Sequence, residues 1–326
     1  MNKVLVMGGT EFISKALVVD LIKSGYSVDF VTRGHKKVDF HGFNKHLIAD
    51  RKDKRALRNI FKDNVYNYIF DVSGYTKEDV ENVVESVDQS CLKRYTFISS
   101  GAVYLSSETL LIETNDRGFN PNWKDYGYNK KKAEDYLSEL YNKTGFPCVI
   151  FRPSYVYGEG NNLKRETFLF SRADRSIPIV IPLSGAAFVQ FIHIHDVIKV
   201  LLATMDDVQV NGEAYNLTHP EEVDWLTLVK TVKQVVNKDF NVKGITKETM
   251  DHLNITLGSF FPFRDLTYLL DICKLSESGL PVPSISLEKG LARTYKWYLE
   301  QNHLIDTVFK KEYDKVIAAS KTIDDE

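Results

Sequence analysis

The chain has 326 residues, 43% of them hydrophobic and 26% charged, with a formal net charge of -2 and a pI of about 6.5. This is globular composition, long enough for one large domain or two modest ones, and it lacks the basic surplus of a chain built around nucleic acid. Cys91, Cys148 and Cys273 match no metal or disulfide spacing. With no signal-peptide pattern and no apolar run near the ~20 residues that span a bilayer, the expectation is a soluble cytoplasmic protein without a membrane partner.

The first predicted element is the strand "KVLVM", followed by the glycine turn "MGGTEFIS" (residues 7–14) and a helix over 15–24. Further strands are expected at "SVDFV", "KHLIA", "YIFDV", "RYTFIS" and "PCVIFRP", with helices over 53–62, 77–90 and 127–143. Such alternation predicts parallel β-α-β units with helices on both faces of a buried sheet. Beyond residue 155 the pattern loosens. A polar helix is expected over 161–175, a strand at "FVQFIHIHD", a helix at "VIKVLLATM", a strand at "AYNLT" and an amphipathic helix at "WLTLVKTVKQVVN". Shorter helices fill 244–303, and a charged tail over 304–326 is expected to fray at "KTIDDE".

Three stretches carry chemistry. Gly8 and Gly9 allow a tight turn and close backbone approach at a helix N-terminus, where free N–H groups suit a pyrophosphate; alone the turn is also a plain strand-to-helix connection. In "YGYNKKKAE", Tyr126 and Lys130 lie four apart and share a helix face. A tyrosine serves as acid or base only if its pKa of roughly 10 is brought down, and a lysine one turn away does that electrostatically. Tyr128 and Lys132 offer the same spacing. In "FISSGAVY", Ser99 and Ser100 follow an apolar strand, at the carboxyl end where open α/β sheets bind ligands. His193 and His195 form an H-x-H pair on one strand face, but no third ligand is evident, and no metal is expected.

The order of these motifs, continued by "FRPSYVYGEG", "FIHIHDV" and "FRDLTYLLDICK", resembles the NAD-dependent epimerase/dehydratase family of extended short-chain dehydrogenases/reductases over nearly all of residues 3–300. The resemblance implies a Rossmann-type doubly wound parallel sheet with a smaller mixed α/β C-terminal substrate domain. The dinucleotide domain would take residues 1–155, with 189–215 returning to it, and the substrate domain 156–188 and 216–303. A catalytic set of Ser100, Tyr126 and Lys130 is implied, because Gly127 and Glu134 fall into the family pattern only in that register. The mechanism implied is hydride transfer to a nicotinamide while Tyr126 takes a hydroxyl proton. Glu113, Pro121, Arg152, Pro153, Asp196 and Asp271 match further family positions. Gly8, Gly9, Thr10, Glu11, Phe12, Ile13, Arg33, Asp50, Ser73 and Lys130 are the implied cofactor residues, and Ser100, Tyr155, Gln190 and Arg264 the substrate residues.

Four departures modify that expectation. Glu11 and Ser14 stand where the family has its second and third glycines. A carboxylate about 4 Å from a phosphate charge costs ~1 kcal/mol in water and ~4 at an effective dielectric of 20, so Glu11 is expected to weaken cofactor binding. Tyr155 replaces the usual Asn, and Gln190 an arginine. The second strand ends "VTRG" without a terminal acid, so Arg33 favours NADP slightly over NAD. Within the superfamily, "FVTRG", "FDVSGYTKEDVENVV" and "FPFRDLTYLLDICKLSESGLP" resemble the branch of chloroplast stem-loop RNA-binding proteins and their bacterial relatives. An epimerase, dehydratase or reductase acting on a sugar-nucleotide-like or other polar small molecule is the leading reading, and a homodimer is compatible with it. The alternatives are an RNA-binding or ribonucleolytic protein, with basic spots at Lys52/Lys54/Arg55/Arg58 and Lys130/Lys131/Lys132, or a cofactor-binding protein without turnover.

Overall fold

The computed structural model describes residues 2–183, 187–205, 208–301 and 310–323. The chain begins β1 (Lys3–Met7), α1 (Phe12–Lys23), β2 (Ser27–Thr32), β3 (Lys45–Ile48), α2 (Lys54–Phe61), β4 (Tyr68–Asp71), α3 (Lys77–Val84), β5 (Arg94–Ile98), α4 (Lys124–Thr144) and β6 (Cys148–Pro153). It continues through β7 (Tyr155–Tyr157), α5 (Arg165–Asp174), β8 (Ile179–Pro182), β9 (Phe191–His193), α6 (Ile194–Ala203), β10 (Ala214–Leu217), α7 (Trp225–Val236), β11 (Val242–Ile245) and α8 (Lys247–His252). The last elements are α9 (Cys273–Glu277), α10 (Leu287–Glu300), α11 (Lys310–Ala319) and β12 (Lys321–Thr322).

Seven strands form one parallel sheet in the order β3-β2-β1-β4-β5-β6-β10. The order reverses direction between β1 and β4, so a crevice opens at the carboxyl ends of those strands. The strands are apolar because both faces are covered: Val4, Val6 and Phe30 pack under α1 and α6 on one side, and Leu5, Ile69 and Phe97 under α2, α3 and α4 on the other. Local chemistry fixes the helix ends. Asp53 accepts the Ala56 N–H to start α2, Thr76 and Asp79 form a capping box on α3, and Gly145 ends α4 in the left-handed region.

The second lobe is built on a mixed sheet, β12-β11-β8, with β8 parallel and β12 antiparallel to β11. Its aromatic-rich core includes Phe168, Phe170, Trp225, Phe261 and Tyr298. Residues 191–217 return to the first lobe through α6, which packs with α1, and β10, which extends the sheet. Part of the stretch read as a charged tail is integrated: Tyr313 and Val316 are buried and β12 pairs with β11, while residues 302–309 and 324–326 lie outside the described residues. Among the described residues no helix is long and apolar enough to cross a membrane.

Candidate active site

The glycine turn follows β1 directly. Gly8 and Gly9 take φ of 108° and 138°. A Cβ on Gly8 would lie 2.9 Å from the Ser14 Cβ, and one on Gly9 would lie 2.5 Å from the Phe30 ring. Both positions therefore need glycine, and the backbone stays bare where a ligand would approach. Glu11 is the N-cap of α1 but makes no side-chain cap bond, which leaves first-turn N–H groups for an anion. These observations fit a dinucleotide pyrophosphate. The Glu11 carboxylate is paired with the Lys36 ammonium, so its expected repulsion is met by a cation from the loop after β2. If that pairing matters, Lys36→Ala should weaken dinucleotide binding by up to about fivefold, the equivalent of ~1 kcal/mol of exposed repulsion. Adding Glu11→Gly should restore it. Calorimetry on the single and double variants checks this; equal affinities in all three refute the compensation.

Across the crevice, Ser100 follows β5 and accepts the Ala102 N–H at 3.2 Å, closing a short turn over Gly101–Val103. Helix α4 docks on that turn at Gly127, where any Cβ would overlap the Ala102 carbonyl oxygen. The close approach sets Tyr126 near Ser100 on the wall of one cavity. Desolvation by the surrounding protein holds the Tyr126 phenol above its ordinary value, although the residue is 41% exposed to the crevice. Lys130, one turn further, is 3% exposed and donates to the Ile98 carbonyl at 2.6 Å, over the rings of Phe97 and Tyr75. Burial pushes its ammonium down to about 8 against the pull of Asp71. Desolvation thus opposes the expected lowering of the tyrosine, and the lysine is turned to a main-chain oxygen.

Ser100, Tyr126 and Lys130 line one cavity of about 880 Å³, together with Phe12 and Ile13 from the glycine turn. Its far wall includes Tyr155, Arg165 and Arg264. The Arg264 guanidinium lies 4.8 Å from the Trp123 ring centroid, and Arg165 lies over Tyr155 at the same distance. The alternative pair is elsewhere: Lys132 covers the Tyr128 ring, and neither lines the cavity. A second cavity of about 480 Å³ adjoins the first and shares Trp123 and Tyr268 with it.

Other sequence candidates fall outside this constellation. Gln190 is 2% exposed, does not line either cavity, and accepts the Leu270 N–H at 2.7 Å. Ser73 accepts from Arg51 at 2.9 Å. Asp50 is exposed and accepts the Lys52 N–H, and Arg33 is exposed at the end of β2. Gly8, Gly9, Thr10 and Glu11 form the turn beside the cavity rather than its lining. The basic spots are interrupted: Lys54 pairs with Glu85, Lys131 with Asp135, and Lys130 is buried.

Sequence reasoning missed Arg51, Arg165, Tyr268 and Glu159. Arg51 binds the buried Asp71 through both terminal nitrogens at 2.8 and 2.7 Å, and Tyr95 donates to the same carboxylate at 2.7 Å. Burial alone would raise the Asp71 carboxyl; Arg51 and Tyr95 bring it below its ordinary value. Tyr268, from the second lobe, lines the same cavity as Ser100 and donates to the Pro153 carbonyl at 3.4 Å. Glu159 stands beside the two histidines, which sit at a strand-to-helix junction rather than along one strand. None of these meetings leaves a spacing signal, since each joins distant parts of the chain.

The sequence model of the NAD dependent epimerase/dehydratase family matches residues 4–218. The chain is 26% identical to the chloroplast stem-loop binding protein of 41 kDa b of Arabidopsis thaliana, over 90% of this chain and 78% of that one. It is 22% identical to the dTDP-D-glucose 4,6-dehydratase of Mus musculus, over 93% and 90%. Among solved structures, UDP-glucose 4-epimerase of Thermotoga maritima superposes with a TM-score of 0.77 at 21% identity, covering 92% of this chain and 99% of the other. A dTDP-glucose 4,6-dehydratase of Bacillus anthracis in complex with NAD gives 0.76 at 17% identity, covering 93% and 98%. The sequence match spans more than half of the chain and contains the glycine turn, the serine turn and the tyrosine helix described above: this protein belongs to the NAD dependent epimerase/dehydratase family.

Proposed function

We propose that this protein is an NAD(P)-dependent enzyme of the epimerase, dehydratase or reductase type, acting on a sugar-nucleotide-like or related polar substrate. The observation that carries the reading is the gathering of Ser100, Tyr126 and Lys130 on the lining of one cavity that opens beside the glycine turn. A nicotinamide dinucleotide, when bound, supplies a reversible hydride acceptor. Gly8, Gly9 and the first turn of α1 would hold its pyrophosphate. Ser100 orients the substrate oxygen. Tyr126 takes the hydroxyl proton as general base and returns it as general acid. Lys130 holds positive charge beside the phenol, and Arg165 and Arg264 offer guanidinium groups to an anionic part of the substrate. The test is denaturing mass spectrometry of the purified chain for a carried dinucleotide, then a nucleotide-sugar screen followed by nicotinamide absorbance. Absence of dinucleotide binding at saturating concentration refutes the reading.

The cofactor side of the proposal favours NADP. Asp29 is buried and engaged by Lys3, Asn44 and Tyr66, so it offers nothing to a ribose hydroxyl at the strand end. Arg33 is exposed there, followed by Lys36 and Lys37. Arg33→Ala should weaken NADP roughly tenfold, the worth of one charge-assisted hydrogen bond of about 1.5 kcal/mol, and leave NAD unchanged. Titrations of both cofactors against both proteins decide it; equal loss for the two overturns the assignment.

A further inference from the structure

Outside the cavity, Glu159, His193 and His195 bring a carboxylate oxygen and two ring nitrogens within 4.8 Å of one another. They come from three turns of chain: Glu159 follows β7 across Gly158, His193 closes β9, and His195 lies in the first turn of α6. The two imidazoles stack at 5.2 Å with 9° between their planes. Both Nε2 atoms face one oxygen, Glu159 Oε2, at 3.3 Å from His193 and 3.7 Å from His195.

We propose that Glu159, His193 and His195 form a binding site for a divalent zinc-type cation, separate from the cavity of Ser100 and Tyr126. Two independent observations support it. Ligands at 2.0–2.1 Å from a tetrahedral zinc lie about 3.3–3.4 Å from each other; the two nitrogen-to-oxygen distances fall at or just above that edge, and the three donors lie within 4.8 Å, so an ion would draw the half-exposed His195 inward. In addition, His193 is fully buried, and its Nε2 faces Glu159 Oε2 at 3.3 Å as a close pair that lacks the alignment of a hydrogen bond. Buried polar atoms are nearly always well partnered, and this pair is close but poorly aligned. A cation between them satisfies both. Two histidines and one glutamate are a zinc-compatible donor set that leaves a coordination position for water.

The surroundings agree with a modest, accessible site. His195 is 44% exposed, which provides entry. Arg293 reaches the other carboxylate oxygen, Oε1, at 3.7 Å and leaves Oε2 free. The His193 Nδ1 accepts a long 3.3 Å bond from the His195 N–H; coordination at Nε2 moves the ring proton to Nδ1 and gives up that contact. Glu159 also begins the loop whose later residues, Leu163 and Arg165, line the substrate cavity, so a bound cation would anchor that wall to the strand-to-helix junction at His193.

The experiment uses the full chain stripped with a chelator and titrated with Zn²⁺ by calorimetry at neutral pH, then loaded with Co²⁺ for visible spectroscopy. Saturation at one zinc per chain is expected. His195→Ala, at a half-exposed position that folding tolerates, and Glu159→Gln should each weaken binding by at least the roughly 10–100-fold that loss of an outer-shell partner costs a metal site. Cobalt should give visible ligand-field bands without a thiolate charge-transfer band. A thiolate band would place the ion on the exposed Cys91 or Cys273 and overturn the proposal. So would wild-type protein that binds no zinc, or variants that bind it as tightly as the parent.

Discussion

Tyr126→Phe is expected to abolish turnover while leaving dinucleotide affinity nearly unchanged. The substitution keeps the ring that lies tilted against Tyr75 at 6.0 Å and removes only the hydroxyl on the cavity wall. Loss of a general acid–base typically costs 10²–10⁴-fold, and here the same group would carry the proton in both directions. Tyr128→Phe should leave the rate within about twofold, because Tyr128 packs against Phe119 and Lys132 away from the cavity. A single-turnover hydride-transfer assay on both variants, read by nicotinamide absorbance with a substrate from the nucleotide-sugar screen, separates them. A dead Tyr128→Phe beside an active Tyr126→Phe would shift the active-site register by two residues.

The sheet was legible because a strand buried on both faces writes itself as a short apolar run; five of the six runs read in the first half became such strands, and the sixth, β3, is a half-exposed strand at the sheet edge. The errors lie where a local pattern is overruled by a distant partner. The helix read over 77–90 stops at Val84, and Asp88 instead bridges to Val65. The strand read at "FVQFIHIHD" keeps only Phe191–His193, because the His193 ring accepts the His195 N–H and turns the chain into α6. The C-terminal stretch is polar enough to read as a loose tail, yet β12 adds an edge to β11, a pairing that no periodicity announces.

The site divides in the same way. Tyr126 and Lys130 share a helix face, so their spacing is readable, and Gly127 discloses itself through the helix-to-turn contact only once the Ala102 carbonyl is placed. Glu11 alone reads as a repulsive charge, and the fold supplies its partner, Lys36, from a loop that sequence cannot pair with the turn. Gln190 shows the opposite error: its place in a family pattern pointed at the substrate, whereas its amide holds the Leu270 main chain. Pattern identifies positions under constraint without saying whether chemistry or architecture imposes it.

Glu134 and Arg152 make that distinction testable. Both match family positions near the catalytic set, yet neither lines the cavity. Glu134 is fully buried on α4, four residues beyond Lys130, and Arg152 on β6 is 4% exposed. The guanidinium meets the carboxylate through Nε at 3.1 Å and Nη2 at 2.8 Å, and Arg117 adds a third bond at 2.7 Å. Arg152 also donates to the Tyr104 hydroxyl at 2.7 Å and to the Glu113 carbonyl at 3.0 Å. The pair thus ties α4, β6 and the turn after β5 together behind Ser100 and Tyr126. Breaking a buried ion pair from one side leaves the other charge uncompensated and costs about 3–5 kcal/mol. Glu134→Gln should therefore lower the urea midpoint by that much stability, and Glu134→Gln with Arg152→Met should recover part of it, since the orphaned charge is removed as well. The outcome that separates architecture from chemistry is the rate at saturating cofactor and substrate below the unfolding range. If the pair only holds the scaffold, the folded fraction of Glu134→Gln turns over near the parental rate. A variant of parental stability that has lost its rate would make Glu134 part of the reaction instead.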